Sequence, residues 1–199
     1  MPPEESLAFA RMIKEQHCYA CPSILAEFAK YDARQEGTFM NINHKGKQVD
    51  IGYERFLGPE ILFNPEIAGL EGKPLSDLLD DCIQACPIDA RRSLYNNVVL
   101  SGGTTLFRDL NKRIQRDLRV IVEDRLQRSL KNTKEIVNKA DPIQVNVHSH
   151  TNQKYAVWSG GSLFASMPQF GSYCVTKAQY EEYGPSICRQ SRVFANLLV

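Results

Sequence analysis

The chain has 199 residues, of which 43% are hydrophobic and 24% are charged, and its formal net charge is +1. This length can bury a substantial core in one large or two small domains, and the composition is typical of a globular protein. The near-neutral charge and the lack of an apolar run of about 20 residues argue against nucleic-acid and membrane partners. We expect neither as a partner. The acidic start, without an apolar segment, predicts no secretory signal.

Six cysteines occur along the chain, and without a secretory signal we expect them to be reduced thiols. They are Cys18, Cys21, Cys82, Cys86, Cys174 and Cys188. The first four offer a possible zinc site, because two closely spaced pairs of thiolates can complete a tetrahedron. The apolar neighbours of both pairs favour the alternative that they are small buried side chains.

The first 70 residues are predicted to hold two helices and a β-hairpin. In chain order these are a helix over 2–16, a strand over 18–21, a helix over 24–31, and hairpin strands over 38–43 and 48–51. The hairpin turn spans 44–47, where Gly46 can adopt the positive φ that tight turns require. Gly58-Pro59 and Asn64-Pro65 predict an irregular stretch after the hairpin.

The next part of the chain is predicted to place a long charged helix after a glycine turn. Its elements are helices over 76–86 and 89–94, a strand over 98–100, a helix over 106–130, a connector over 131–141 and a strand over 143–147. Ser76, Asp89 and Thr104 are the predicted N-caps. The long helix alternates an apolar stripe with charged positions, which favours a solvated outer face over a partner-binding one.

The last part of the chain contains a second Ser-Gly-Gly turn. The apolar residues 156–158 predict a strand before Ser159-Gly160-Gly161, and a helix starting at Ser162 is predicted after it. Two copies of a strand–turn–helix unit predict a duplicated architecture or two similar subdomains. A short helix over 177–183 follows, and the apolar tail 193–199 is expected to dock on the protein.

The first glycine turn, Ser101-Gly102-Gly103, is the strongest local signal of a ligand site. Glycines allow a ligand to approach the backbone, and the unpaired N–H groups of a helix start suit a phosphate or a nucleotide edge. The turn is neither a P-loop nor a dinucleotide fingerprint. From these residues alone, close packing of strand and helix is an equally good explanation of the glycines.

Three stretches of the sequence resemble the actin family. Ile88–Phe107 resembles the adenosine-binding segment of actin, and Lys154–Ser162 and Tyr180–Ile187 resemble its carboxyl-terminal signatures. The resemblance implies the α/β, ribonuclease H-like actin ATPase fold, in which two lobes surround a nucleotide cleft. It covers most of the carboxyl-terminal part of the large lobe and the end of the small lobe. It implies three segments: a subdomain 4-like part (1–70), a subdomain 3-like part (71–155) and the end of subdomain 1 (156–199).

The same resemblance implies an ATP site with named residues. Gly103 and Thr104 would approach the nucleotide through their backbone, whereas Leu106 and Phe107 would line the base pocket. Lys14 and Glu15 would flank the base and bind the ribose. The complete implied set is Arg11, Lys14, Glu15, Gly102, Gly103, Thr104, Leu106, Phe107 and Lys154. Without the resemblance, Lys14 and Glu15 would be an exposed pair on a helix, and Leu106 and Phe107 could equally be core residues.

The amino-terminal half of the family pattern has no counterpart in this sequence. That half holds the two Asp-Gly phosphate loops and the acids that organise Mg²⁺, and phosphoryl transfer depends on placing such charges around the phosphates. We therefore expect no enzymatic activity and no catalytic or metal-binding residues in this chain. We expect Mg²⁺ to accompany ATP only when the missing half is supplied.

The resemblance also implies protein partners. Phe164, Met167 and Tyr173 match positions of the apolar groove that accepts an amphipathic helix or a neighbouring actin subunit, although ordinary core packing explains Phe164 as well. The implied role is that of a cytoplasmic, cytoskeletal subunit of the actin-related protein 2/3 complex, which nucleates branched actin filaments. Its partners would be the other subunits and actin. The alternatives are a truncated relative that lacks nucleotide binding and acts through protein contacts, and, less favoured, an ATP-dependent phosphotransferase of the same superfamily.

Overall fold

The computed structural model describes residues 3–132 and 142–189 and combines helices with two small sheets. The chain divides into two compact units, Met1–Lys154 and Tyr155–Val199. The assignment of 1–70, 71–155 and 156–199 to actin subdomains stays a prediction.

Helices dominate the first unit. Its elements are α1 (Pro3–Gln16), α2 (Ile24–Asp32), β1 (Met40–His44), β2 (Lys47–Ile51), α3 (Glu54–Glu60), α4 (Leu75–Ala85), α5 (Ile88–Tyr95), β3 (Val98–Val99), α6 (Leu110–Asn132) and β4 (Val147–His148). Short 3₁₀ turns lie at Pro65–Ala68, Gly103–Leu106 and Gln153–Tyr155. None of the helices in the described ranges is both long and apolar enough to cross a membrane.

Each sheet has two strands. Strands β1 and β2 pair antiparallel, with Ile42 opposite Val49. Their two-residue turn has positive φ at Lys45 (50°) and Gly46 (78°), which is the type I′ geometry that matches the twist of a hairpin. Strands β3 and β4 pair in parallel, with Val98 opposite Val147.

The main core forms around one face of α6. Leu110, Ile114, Leu118 and Val122 recur every four residues and are no more than 2% exposed. They pack with Tyr95, Val145 and other buried residues of the same cluster. The predicted apolar stripe of this helix is therefore confirmed, because a four-residue spacing keeps side chains on one helical face.

A buried ion pair ties α3 to α6. The Arg113 guanidinium donates to both carboxylate oxygens of Glu60, at 3.0 and 3.1 Å, and to the Cys21 carbonyl at 2.5 Å. The Glu60 side chain is fully buried. The Cys21 thiol donates to the same carboxylate at 3.4 Å, and burial, together with the negative charge of Glu60, raises the pKa of this thiol to about 12. The network fixes the segment after α1 against α3 and α6.

The chain after the first glycine turn differs from the prediction. Thr104 lies inside the 3₁₀ turn Gly103–Leu106 and does not cap a long helix, because α6 begins only at Leu110. Arg108 pairs with Tyr19 as an isolated parallel bridge, and Asp109 has a φ of 64°. This extended and left-handed backbone interrupts the helix that the charge pattern predicted over 106–130.

The predicted caps of α4 and α5 are also wrong. Both helices begin one residue earlier, after Pro74 and Pro87, and neither N-cap side chain makes a capping hydrogen bond. Pro74 and Pro87 occupy the N-cap positions, with ψ of 148° and 143°, and a proline side chain has no group that could accept a capping hydrogen bond. Ser76 instead lies within α4, and its hydroxyl is buried without a hydrogen-bond partner.

Most strands were predicted longer than they are, although β2 begins one residue earlier than predicted. Of 18–21 only Tyr19 pairs, through its single bridge to Arg108, and of 143–147 only the last residue joins β4. The predicted irregular stretch around Gly58-Pro59 contains α3. An apolar run becomes a strand only where a partner strand is available, and that partner is not local in sequence.

In the described part of the second unit, all the regular elements are helical. It holds α7 (Ala156–Ala165), α8 (Phe170–Tyr173), α9 (Lys177–Tyr183) and a 3₁₀ turn at Gly184–Arg189. A capping box between Thr176 and Gln179 starts α9. The second Ser-Gly-Gly lies inside α7, so the predicted strand over 156–158 is wrong, and this turn does not repeat the strand–turn–helix unit predicted around the first one. The tail 193–199, the Cys188 side chain and most of the connector 131–141 lie outside the described residues.

Candidate functional site

A cavity of about 810 Å³ opens between α1 and the 3₁₀ turn that follows Gly102. It is lined by Leu7, Ala10, Arg11, Lys14, Glu15, Gln16, Gly103, Thr104, Leu106, Phe107 and Lys154. The structure thus gathers the predicted nucleoside residues around one space, with the exception of Gly102. These residues come from three parts of the chain that are distant in sequence.

The glycine turn has its shape for a conformational reason. Gly102 has a φ of 92°, which side chains rarely allow, and its N–H donates to the Gln153 carbonyl at 2.8 Å. At both Gly102 and Gly103 an added Cβ would meet no other atom within 4 Å. Close packing of strand and helix therefore does not explain the glycines. Gly103 lines the cavity, and a ligand can approach its backbone there because no Cβ is in the way.

Gln153 stabilises the turn through hydrogen bonds, and it was not among the residues predicted from the sequence. Its buried side chain donates to the Thr105 carbonyl at 2.9 Å and to the Thr105 hydroxyl at 3.0 Å, and accepts from the His150 N–H at 3.0 Å. Every polar atom of this amide is used. A glutamine directly before Lys154 carried no signal of this role, because Thr105, to which its side chain donates, lies 48 residues away in sequence.

Charges on one side of the cavity keep Glu15 ionised. Arg11 Nε donates to Glu15 Oε1 at 2.9 Å, and both side chains are more than half exposed. This hydrogen bond and the positive charge of Arg11 lower the pKa of Glu15, and the charges of Lys154 and Lys14 add to the effect. A carboxylate in this state accepts hydrogen bonds and does not donate them.

Apolar side chains also line the cavity. Leu106 is 50% exposed, so it is not a core residue, whereas Phe107 is partly buried and packs against the main core. The Lys14 ammonium lies 5.8 Å from the centre of the Phe107 ring, within the range of a cation–π contact.

This arrangement suits a nucleoside. A flat apolar base fits against Leu106 and Phe107, ribose hydroxyls can donate to the Glu15 carboxylate, and three cations surround the space. Within the described lining of the cavity, Glu15 is the sole carboxylate. A Mg²⁺ ion with its preferred set of oxygen ligands is therefore not accommodated by these residues alone.

Two of the three predicted groove residues of the second unit, Phe164 and Tyr173, also meet. The ring of Phe164 lies 5.3 Å from that of Tyr173 and 5.4 Å from that of Phe170, the latter edge-on. Met167 is 47% exposed beside them in the chain. Phe170 was not among the predicted groove residues, although it is an aromatic residue between Phe164 and Tyr173 in the sequence.

The cysteine pairs do not form a cluster of metal ligands. Among residues 3–132 and 142–189, no group of three His, Cys, Asp or Glu side chains could hold a metal ion. Cys21 is buried against Glu60, whereas Cys82 is exposed. The alternative that these cysteines are small buried side chains therefore holds for Cys21 but not for Cys82.

Comparison with known proteins decides the family. The family model described as Actin matches residues 4–193. The chain belongs to the actin family. The predicted partial actin-like α/β fold is thereby confirmed.

Its curated relatives include three proteins named actin-related protein 3. The chain is 52% identical to the one from Drosophila melanogaster, 50% to that from Dictyostelium discoideum and 48% to that from Schizosaccharomyces pombe. Each match covers 98–99% of this chain but 46–49% of the relative. The chain therefore spans about half the length of the curated relatives it matches.

Proposed function

We propose that this chain supplies the adenosine side of an ATP site in an actin-related subunit of the actin-related protein 2/3 complex. In that role it would help to nucleate branched actin filaments in the cytoplasmic cytoskeleton. Its partners would be the other subunits of the complex and actin. The names of its relatives support the family role, since residues 4–193 match the Actin model and the identity to an actin-related protein 3 reaches 52%.

One observation carries the nucleotide part of the proposal. Residues from α1, from the glycine turn and from the segment around Lys154 line a single cavity of about 810 Å³. That volume lies within the usual range of small-molecule sites, which is roughly 300–1,000 Å³. The lining combines an ionised carboxylate with apolar walls, as a nucleoside requires.

Each residue has a distinct task in binding. Glu15 would accept hydrogen bonds from the ribose hydroxyls, and Leu106 with Phe107 would cover the base. Gly103 would leave room for the nucleotide beside the backbone. Lys14 and Lys154 would place positive charge near it, and Arg11 would hold Glu15 ionised through their 2.9 Å hydrogen bond.

We further propose that the chain alone does not hydrolyse ATP. Hydrolysis requires groups that place Mg²⁺ and an attacking water around the phosphates. The described lining of the cavity offers one carboxylate, and Arg11 already engages it. When bound, ATP would supply a phosphate chain whose Mg²⁺ is organised by residues outside this chain.

Nucleoside binding by the 199-residue chain tests the proposal. Adenosine should bind, and Glu15→Ala should weaken it by roughly 10- to 100-fold, since a hydrogen bond to a charged group contributes about 1.5–3 kcal/mol. Glu4→Ala is the matched control, because Glu4 is an exposed carboxylate on the same helix. Equal affinity of the Glu15 variant and the parent chain would remove the ribose assignment. Mg²⁺ should not strengthen ATP binding to this chain.

A specific observation favours one alternative, a relative that acts only through protein contacts. In the second unit Val157, Trp158 and Leu163 are 71–76% exposed, so α7 presents a wide apolar surface. This alternative predicts no adenosine binding by the parent chain. It also predicts that the other subunits of the complex or actin retain the chain in the absence of nucleotide.

A further inference from the structure

A second cavity, of about 470 Å³, lies between α1 and α3 beside the candidate nucleoside cavity. We name it the α1–α3 chamber. Its walls include Ile13, Cys18, Gly58, Ile61, Leu62 and Phe107. We propose that the α1–α3 chamber is a binding site for an uncharged aromatic small molecule.

The lining of the chamber selects this chemistry. Most wall groups are apolar, which favours a ligand without charge. The Glu54 carboxylate, at the wall, already accepts the Gly52 N–H at 2.8 Å. The Lys14 ammonium lies 5.8 Å from the Phe107 ring, so a ring beside Phe107 can share its positive charge. The Cys18 sulfur adds a polarisable contact that aromatic rings favour.

The chamber is distinguishable from the nucleoside cavity. Both are lined by Lys14 and Phe107, but Glu15 and Lys154 line only the larger cavity. Cys18 and Gly58 line only the chamber. A measurement at Cys18 therefore reports on the chamber itself, and a test without nucleotide does not depend on the proposed ATP site.

Cys18 provides the reporter. Its side chain is half-buried, and its thiol donates to the Glu54 carbonyl at 3.6 Å. A ligand in the chamber would cover this sulfur and slow its alkylation. Mapping the modified peptides by mass separates Cys18 from the other cysteines of the chain.

Gly58 provides the blocking variant. It lies in α3, and an added Cβ would have the Cys18 sulfur as its nearest neighbour, at 3.9 Å, which is an ordinary contact. Gly58→Leu should fill the chamber, and Gly58→Ala should fill it in part. Gly160→Leu is the matched control, because Gly160 lies in α7 of the second unit and a Cβ there meets nothing within 4 Å.

The experiment measures the alkylation rate of Cys18 by N-ethylmaleimide with increasing indole as the probe. For a ligand of this size we expect a Kd of roughly 1 mM, and a roughly tenfold slower reaction at ten times the Kd. Gly58→Leu should abolish the protection, Gly58→Ala should weaken it, and Gly160→Leu should leave it unchanged.

Two results would overturn the proposal. One is a Cys18 rate that does not respond to indole in the parent chain. The other is protection that persists undiminished in the Gly58 variants. Far-UV circular dichroism identifies a variant that has not folded, and if Gly58→Leu fails in this way, the comparison of Gly58→Ala with the parent chain decides.

Discussion

Replacing Arg113 by methionine should destabilise the first unit strongly. The variant keeps an unbranched apolar side chain but leaves the fully buried Glu60 carboxylate without its cation. It also removes the hydrogen bonds to the Cys21 carbonyl and to Asp117, at 2.5 and 2.7 Å. Removing one partner of a buried ion pair costs about 3–5 kcal/mol, because the remaining charge is uncompensated. We expect the free energy of unfolding to fall by that amount.

Urea unfolding followed by circular dichroism at 222 nm measures the effect. The single tryptophan, Trp158, lies in the second unit, so its fluorescence reports on that unit separately. Arg128→Met is the matched control, because Arg128 is exposed on the same helix. The control should change stability by less than about 0.5 kcal/mol. A loss below about 1 kcal/mol for Arg113→Met would refute the reasoning.

A double variant separates the charge from the packing. Glu60→Leu combined with Arg113→Met removes both charges and leaves apolar groups in their place. Such replacements of a buried pair are often neutral or stabilising. We expect the double variant to recover at least half of the loss seen for Arg113→Met. A double variant as unstable as the single one would show that the hydrogen bonds to Cys21 and Asp117, and not the unpaired carboxylate, account for the loss.

Three further predictions follow from other contacts. Burial alone would raise the pKa of Glu27, but hydrogen bonds from Tyr19 and Lys30 outweigh it and lower that pKa below the unfolded value of about 4.3. Glu27 therefore stabilises the fold above about pH 4.3, and this effect is lost as the pH falls through its folded pKa. In urea titrations at several pH values, Glu27→Gln should make the free energy of unfolding fall less steeply on the acid side. An unchanged slope would contradict this. Ser76→Ala should raise the melting temperature or leave it unchanged, because the buried hydroxyl has no partner, and a clear loss in a thermal melt would mean that Ser76 is satisfied in solution. Gly102→Ala should lower the free energy of unfolding by about 1–2 kcal/mol, because Gly102 has a φ of 92°. Gly103→Ala should preserve stability and weaken adenosine binding, because an added Cβ there meets no atom of the protein within 4 Å. Equal losses of stability in urea would refute the distinction.

Helices with a local signal were predictable from the sequence. The acidic first turn of α1 and the four-residue spacing from Leu110 to Val122 both depend on residues close in the chain. The hairpin was also predictable, because Gly46 supplies a positive φ at the turn. In these cases local and tertiary preferences agree.

Features that depend on distant partners were not predictable. Residues 159–161 have the same Ser-Gly-Gly sequence as residues 101–103, yet they lie inside α7. Gly102 instead pairs with the Gln153 carbonyl and takes a φ of 92°. Neither the pairing nor the helix could be deduced from three residues that are identical in both places.

The residues that line the nucleoside cavity were predicted from the resemblance to the actin family. Long-range contacts explain why they meet. The Ala20 N–H donates to the Arg108 carbonyl at 2.9 Å, and the Arg108 guanidinium lies 4.8 Å from the centre of the Tyr19 ring. These contacts bring the end of α1 beside the end of the glycine turn. Helix boundaries near the turn were predicted wrongly, but the cavity depends on this junction and not on where α6 begins. The site is therefore less sensitive to errors in secondary structure than the fold is.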